Sequence, residues 1–338
     1  MFLASVIVPV YNGASTLDAC LRALAHQTVP RTSYEVIVVD DGSADASAAI
    51  AARHGARVVC QDHAGPAAAR NRGARAAQGE ILLFTDADCE PQPDWIEETL
   101  APFAVPGVAG VKGVYRTRQP SVVARFAQAE YEEKYARLAG RAEIDFVDTY
   151  AAAYRRAVFL QAGGFDTAFP TATVEDQELS YRLAAAGHRL LFAPRATVYH
   201  RHAATPWQYA RRKVHLGRWK VRVHARHPAR ALRDSYTPCT QKAQLVLLPL
   251  AAVAAGAAAL ARPGTAERRA SRCLAAGLAA LGLASTLPLL AHARRQGWPV
   301  ALAAPALALL RAAALDLGLA WGLLGERRPA HRDKTGQR

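Results

Sequence analysis

Short aliphatic and β-branched runs recur through the first part of the chain, each stopping at a polar turn. Val6-Ile7-Val8-Pro9-Val10 ends at Tyr11-Asn12-Gly13, and Tyr34–Val39 ends in Asp40-Asp41-Gly42-Ser43. Ala56–Cys60 is a shorter run, and Ile81-Leu82-Leu83-Phe84-Thr85 leads straight into Asp86-Ala87-Asp88. Between these runs the apolar spacing becomes helical. Leu17, Leu21 and Leu24 share one face of a helix through His26, behind Ser15 or Thr16 as its cap, and a second helix extends to about His54. This β-α-β-α-β alternation predicts an α/β fold with a doubly wound, mostly parallel sheet. Ligands bind such sheets beyond the carboxyl ends of the strands, where Asn12, Asp40, Asp86 and Asp88 stand. No Gly-x-Gly-x-x-Gly follows the first strand, which argues against a dinucleotide cofactor.

The pattern changes after a further expected strand, Ala196–Tyr199. From Trp207 to Arg233, arginine and lysine interleave with Tyr209, Val214, Leu216, Trp219 and Val221, as in an amphipathic stretch lying on lipid. Three apolar runs follow, Ala243–Ala261, Cys273–Ala291 and about Val300–Leu324, the last interrupted by Arg311 and Asp316. The first two lack charge and approach the length of a bilayer span. Arg311 and Asp316 are expected either to pair across helix turns or to face a lipid-acceptor cavity. The expected divisions are 1–205, a catalytic domain; 206–242, a basic interface segment; 243–325, apolar membrane helices; and 326–338, a basic tail.

Charge sharpens that division. Residues 1–180 carry 16 Lys and Arg against 23 Asp and Glu, net −7, whereas residues 181–338 carry 26 against 5, net +21. An acidic front half suits a cation site, and a basic back half suits an anionic surface. The apolar runs make that surface membrane lipid rather than nucleic acid. The five cysteines are scattered without Cys-x-x-Cys, so neither a disulfide framework nor a zinc site is expected. Met1–Val10 has no basic leader and reads as a first strand, not a signal peptide.

Two acidic clusters carry the candidate chemistry. In extended backbone, residues two apart point the same way, so Asp86 and Asp88 can aim two carboxylates at one hard cation, which in turn holds phosphate. Glu175 and Asp176 open an amphipathic helix whose Leu179 and Leu183 face inward. They either complement the helix dipole or supply a general base. Arg70 opens the helix after Gly65-Pro66, as a solvated charge or as a phosphate partner. His200, after the Ala196–Tyr199 strand, is either a solvated histidine or a metal ligand.

Together these motifs resemble the family 2 glycosyltransferases with the GT-A fold. The matching stretches are Val6–Asn12, Val38–Asp45, Ala69–Gly73, Thr85–Asp88, Gly163–Asp166 and Glu175-Asp176, over roughly residues 3–200. The resemblance implies that Pro9, Tyr11, Asn12 and Asp40 line a nucleoside pocket, with Arg70 near base and diphosphate. It implies that Asp86 holds ribose or metal, that Asp88 binds Mg²⁺ or Mn²⁺, and that His200 is a third ligand or a diphosphate contact. Asp176 is then the base, with Glu175 positioning the acceptor. Asp41 and Asp45 read as helix caps.

The expected activity is a membrane-associated, inverting, metal-dependent transfer of sugar from a nucleotide-diphosphate sugar. The expected acceptor is a lipid-linked or cell-surface glycan hydroxyl. The catalytic domain is placed on the cytoplasmic side of the inner membrane, beside anionic membrane lipid. Three crossings would put the basic 262–272 loop and the tail outside, and two would keep both inside; the sequence leaves both open. The rival reading is a catalytically silent nucleotide-sugar-binding subunit of a polysaccharide assembly.

Overall fold

The computed structural model describes residues 2–169 and 171–326, so all but the first residue of the expected tail 326–338 lies outside the described residues. An eight-stranded mixed sheet forms the first half. Its strands are β1 (Ala4–Val10), β2 (Tyr34–Asp40), β3 (Arg57–Cys60), β4 (Ile81–Phe84), β5 (Glu90–Pro91), β6 (Val108–Arg116), β7 (Ala152–Arg155) and β8 (Arg189–Tyr199), in spatial order β3-β2-β1-β4-β7-β6-β8-β5. β3, β2, β1 and β4 pair in parallel, and so do β6 and β8. β7 runs antiparallel between β4 and β6, and β5 runs antiparallel to β8. Two antiparallel steps restore the direction, so β8 ends at the same edge as β1, β2 and β4.

Helices cover both faces. α1 (Ala14–Ala25), α2 (Ser47–Arg53) and α4 (Trp95–Leu100) lie against the core that contains Leu17, Leu21, Val6 and Trp95. α3 (Pro66–Ala76), α6 (Arg156–Gln161) and α7 (Glu175–Ala185) pack on the other face, around Ile7, Phe84, Phe159 and Phe165. Leu179 and Leu183 are buried there, as their helical spacing predicts. α1 begins at Ala14, ahead of the expected Ser15 or Thr16 cap, and the Asp45 carboxylate accepts its first N–H at 2.9 Å.

Gly163 and Gly164 both have positive φ and turn the chain out of α6. A side chain at Gly164 would lie 2.4 Å from Asn71 Oδ1. That oxygen accepts from Phe165 N at 2.9 Å, while Asn71 Nδ2 donates to Phe165 O at 2.7 Å. The glycine therefore lets α3 clamp the turn, and Phe165 fills the core.

The rest is helical: α5 (Val122–Leu138) beside the sheet, then α8 (Pro206–Arg226), α9 (Pro228–Leu232), α10 (Cys239–Leu260), α11 (Ala266–Ala284), α12 (Leu287–Arg295) and α13 (Trp298–Glu326). Three helical runs are long and apolar enough to cross a membrane: Cys239–Leu260, Ala266–Arg295 and Trp298–Gly325. They are not equivalent. α10 and α11 leave Val246, Val253, Leu260 and Leu274 exposed. α13 instead buries Val300, Ala304, Leu307 and Ala308 against Phe126 and Ala129 of α5 and Tyr209 of α8. Its small residues also admit close backbone contact, since a side chain at Gly318 would lie 2.1 Å from Val214 O. Arg311 pairs neither with Asp316 nor with an open cavity. It donates to Glu130 of α5 at 2.6 Å and to Gln244 of α10 at 2.7 Å. A buried guanidinium inside an apolar helix needs a carboxylate, and here Glu130 of α5, beside the sheet, supplies it.

Candidate active site

The carboxyl edge of the sheet gathers the predicted residues. Asn12 follows β1 with φ 51°, alone in positive φ among the described non-glycine residues. Its N–H donates to Ser43 Oγ at 2.9 Å and its Oδ1 accepts from Ala44 N at 2.8 Å, which ties the β1 loop to the β2 loop. Pro9 is half-buried within β1. Asp40 ends β2, buried, and accepts from Ser43 N at 2.9 Å. Asp41 accepts from Ala64 N and Gly65 N, both at 2.9 Å, and thereby shapes the entry to α3. Tyr11 is half-exposed and its ring lies 4.1 Å from that of His63, a rim residue with no motif to announce it.

β5 explains how Asp88 meets His200. Glu90 pairs with Tyr199 in antiparallel register, so the residues just outside that pair also approach. Asp88 Oδ2 lies 3.6 Å from His200 Nε2. Partial burial and the like charge of Asp86 push the Asp88 carboxyl up to about 6, which marks a site short of positive charge. Burial, reinforced by Arg212, pushes the His200 imidazolium down to about 3, so its ring is neutral and available as a ligand. His200 Nδ1 is buried and without a hydrogen-bond partner among the described residues. Carboxylate and imidazole donors fit Mg²⁺ or Mn²⁺. Cys89 Sγ is close enough to join the cluster, but burial raises this thiol far above its ordinary value and keeps it protonated.

Arg70 is almost fully buried and joins two regions distant in sequence. One terminal nitrogen donates to Asp86 Oδ1 at 2.7 Å and the other to Glu175 Oε1 at 2.9 Å. Glu175 also accepts from Thr173 N at 2.7 Å, so its oxygens hold the start of α7 in place. Asp176 is less encumbered. Its oxygens accept from Gln177 N at 2.7 Å and Thr149 N at 3.4 Å. Burial, then the charges of Glu175 and Asp148, raises its carboxyl well above the ordinary range. Both carboxylates line the cleft.

That cleft is about 960 Å³, its open mouth included, and is lined by Thr173, Asp176, Tyr150, Lys134, Lys220 and Gln241 among others. Three contributions escaped the motif reading. Lys112 and Asp148 form a buried ion pair whose carboxylate also accepts from Tyr115 Oη at 2.9 Å. Arg212 hydrogen-bonds the Tyr150 hydroxyl, and the Tyr150 ring lies 4.4 Å from His200. Tyr209, Lys213, Leu216 and Lys220 recur at helical spacing on α8, and the last three line the cleft. That period lies in the stretch whose composition suits a lipid surface.

Residues 5–162 match the sequence model of the family described as Glycosyl transferase family 2. The chain is 31% identical over 234 residues to the pre-mycofactocin glycosyltransferase of Mycobacterium tuberculosis, covering 66% of this chain and 48% of that protein. Over 115 residues it is 41% identical to glycosyltransferase AglE of Haloferax volcanii, covering 32% of this chain and 38% of the relative. It thus spans less than half the length of either. Among solved structures, the mannosyltransferase PcManGT of Pyrobaculum calidifontis, in complex with GDP-Man and Mn²⁺, superposes with a TM-score of 0.63 at 22% identity. That match covers 96% of this chain and 88% of the other.

Proposed function

We infer the function from one premise, that the chain belongs to glycosyl transferase family 2 and has the GT-A fold. It transfers a sugar from a nucleotide-diphosphate donor to an acceptor hydroxyl, with inversion, close to a membrane. The observation that carries this reading is the Arg70 bridge. One guanidinium connects Asp86, at the sheet edge, with Glu175, the neighbour of Asp176. A donor site and a proton acceptor are thereby held as one rigid unit.

In this reading Asp40 and the Tyr11–Asn12 loop receive the nucleoside. Asp88, His200 and the free oxygen of Asp86 hold Mg²⁺ or Mn²⁺, the latter being the ion in the complex of the related fold. Such a cation, when bound, neutralises the departing diphosphate. Asp176 takes the proton from the acceptor hydroxyl as that oxygen bonds to the anomeric carbon. The electron pair of the broken carbon–oxygen bond leaves with the diphosphate. A base with a raised pKa suits this task, because a stronger base accepts the proton more readily. Arg70 and Thr173 keep Glu175 from competing for it. Exposed apolar faces on α10 and α11 support membrane attachment, and hence an acceptor that is lipid-linked or part of a cell-surface glycan.

Membranes carrying the wild type, Asp88→Ala or Asp176→Asn, incubated with a panel of nucleotide sugars and Mg²⁺ or Mn²⁺, test this. Turnover of one donor that vanishes in both variants, with nucleotide binding kept in Asp176→Asn, is the expected result. Cation-dependent nucleotide binding without turnover of any donor in the presence of lipid extract would favour a silent binding subunit.

A further inference from the structure

The part of the cleft lined by α5 and α8 has a charge excess that sugar transfer alone does not explain. Lys134 of α5 and Arg212, Lys213 and Lys220 of α8 line the same cleft as Asp176. Lys213 has a carboxylate, since its Nζ lies 3.1 Å from Glu130 Oε2. That carboxylate is shared, because Glu130 also receives Arg311 and the Tyr209 hydroxyl at 2.8 Å. Against the upward push of burial, Lys213 and Arg311 pull Glu130 down to about 2. Its charge is fully committed.

Lys134 and Lys220 have no carboxylate within 4.0 Å among the described residues. The Lys134 ammonium instead lies over the Tyr236 and Tyr131 rings, at 4.5 and 5.0 Å. The acidic groups lining the same cleft do not balance them. Asp148 is taken by Lys112 and Glu175 by Arg70, which leaves Asp176 alone among the acidic groups lining the cleft to face several cations. Arg212 meets a neutral phenol. Burying cations without counter-charge is costly, and burial accordingly pushes Lys134 down to about 7 and Lys220 below its ordinary value. An anion between them removes that cost and receives charge-assisted hydrogen bonds. The same wall carries neutral donors, Thr237 and Gln241, next to the start of α10.

We propose that this part of the cleft is an anion site for the acceptor: the substrate that receives the sugar carries a phosphate ester, held between Lys134 and Lys220. Its attacking hydroxyl then lies toward Asp176. The phosphate takes no part in bond exchange and acts as a handle that sets the acceptor's register against the base. This rests on the transferase reading but names a substrate class for it. Phosphate esters occur both on membrane isoprenoids and on soluble sugars, and the site chemistry is shared.

The test uses the full chain in detergent, saturated with nucleoside diphosphate and Mn²⁺ so that the donor side is filled. Inorganic pyrophosphate is titrated as the probe, followed by micelles containing a long-chain isoprenoid phosphate and, separately, by glycerol phosphate. Saturable binding that weakens at least tenfold in Lys134→Gln/Lys220→Gln supports the proposal. Whichever ester binds tighter identifies the source. Asp88→Ala, titrated without nucleotide, separates the two readings: pyrophosphate binding persists there while nucleotide binding is lost. Equal pyrophosphate affinity in the wild type and the double lysine variant would overturn the proposal. Folding is controlled by Lys220→Met, which removes a partly buried charge. It raises the ligand-free melting temperature while abolishing the stabilisation that pyrophosphate gives the wild type. A melting response to pyrophosphate equal to that of the wild type would again refute the site.

Discussion

Asn12, Asp40, Asp86 and His200 each stand at or within two residues of a strand's carboxyl end, whereas Asp176, Lys134 and Lys220 come from three different helices. The proposed donor side is therefore an extension of backbone register. Parallel pairing of β1, β2 and β4, and the short β5–β8 ladder, place its side chains with little help from packing. The proposed acceptor side exists only after α5, α7, α8 and α10 have packed. Arg70 couples the two sides, and the Glu130–Arg311 pair joins the acceptor side to the apolar helices. One side is held by hydrogen-bond ladders and the other by desolvated charge. They should break differently.

The largest separation is expected in turnover. Asp176→Asn lowers kcat by about 10²–10⁴ while nucleotide affinity stays within a few-fold, the range for loss of a positioned base. Asp88→Ala loses cation-dependent nucleotide binding as well as turnover. Equilibrium titration with a fluorescent nucleotide, run beside a transfer assay, distinguishes the two. If Asp176→Asn also lost nucleotide binding, the sides would not be separable.

Arg70→Met attacks the coupling itself. It leaves the buried Glu175 carboxylate and the partly buried Asp86 carboxylate without their cation, and breaking a buried pair costs about 3–5 kcal/mol. Denaturant unfolding in detergent measures this, and a loss below about 1 kcal/mol would show that the two carboxylates rearrange to reach water.

A smaller effect is expected where the apolar helices meet α8. In Gly318→Leu the side chain meets the Val214 carbonyl, and overpacking of this kind costs about 1–3 kcal/mol. Transfer to acceptor falls while nucleotide binding does not, because α13 packs on α8 and α5, the helices that line the proposed acceptor side. Parallel measurement of both quantities checks this.

The smallest effect is a pH signature of Asp176. Its folded carboxyl has a raised pKa, so the folded state holds the proton more tightly than the unfolded chain. The resulting penalty on stability is absent below the unfolded value near ~4 and grows as pH climbs through the folded value. Asp176→Asn therefore melts higher than the wild type at pH 8 and no higher at pH 4. The same shift moves the acidic limb of the wild-type pH–rate profile above that of an ordinary aspartate. Identical melting curves at both pH values would mean that Asp176 is solvated.

The motif-bearing residues were legible because strand ends are written locally. Asp86 and Asp88 follow an unbroken apolar run, and its length and flanking prolines announce a buried strand with an acidic tip. Leu179 and Leu183 likewise gave the inward face of α7 by spacing alone. The basic stretch after Trp207 shows the limit of composition. Its cations fit a lipid surface, and two of them, Lys213 and Lys220, also line the cleft because Glu130 and the cleft lie on that face of α8. Arg311 was ambiguous until α5 was in place.

The sequence by itself determined the α/β order of elements, the carboxylates at the sheet edge, the helix that begins at Glu175, and three apolar runs. Those features depend on neighbours a few positions away, through side-chain period and turn chemistry. Only the tertiary structure decided that Arg70 is a strut between Asp86 and Glu175, that α13 packs on α5 and α8, and that lysines of α5 and α8 line the same cleft as Asp176. Each of these depends on which charge is left without water when distant segments close over it. Desolvation is a property of the assembled interior, and no local pattern records it.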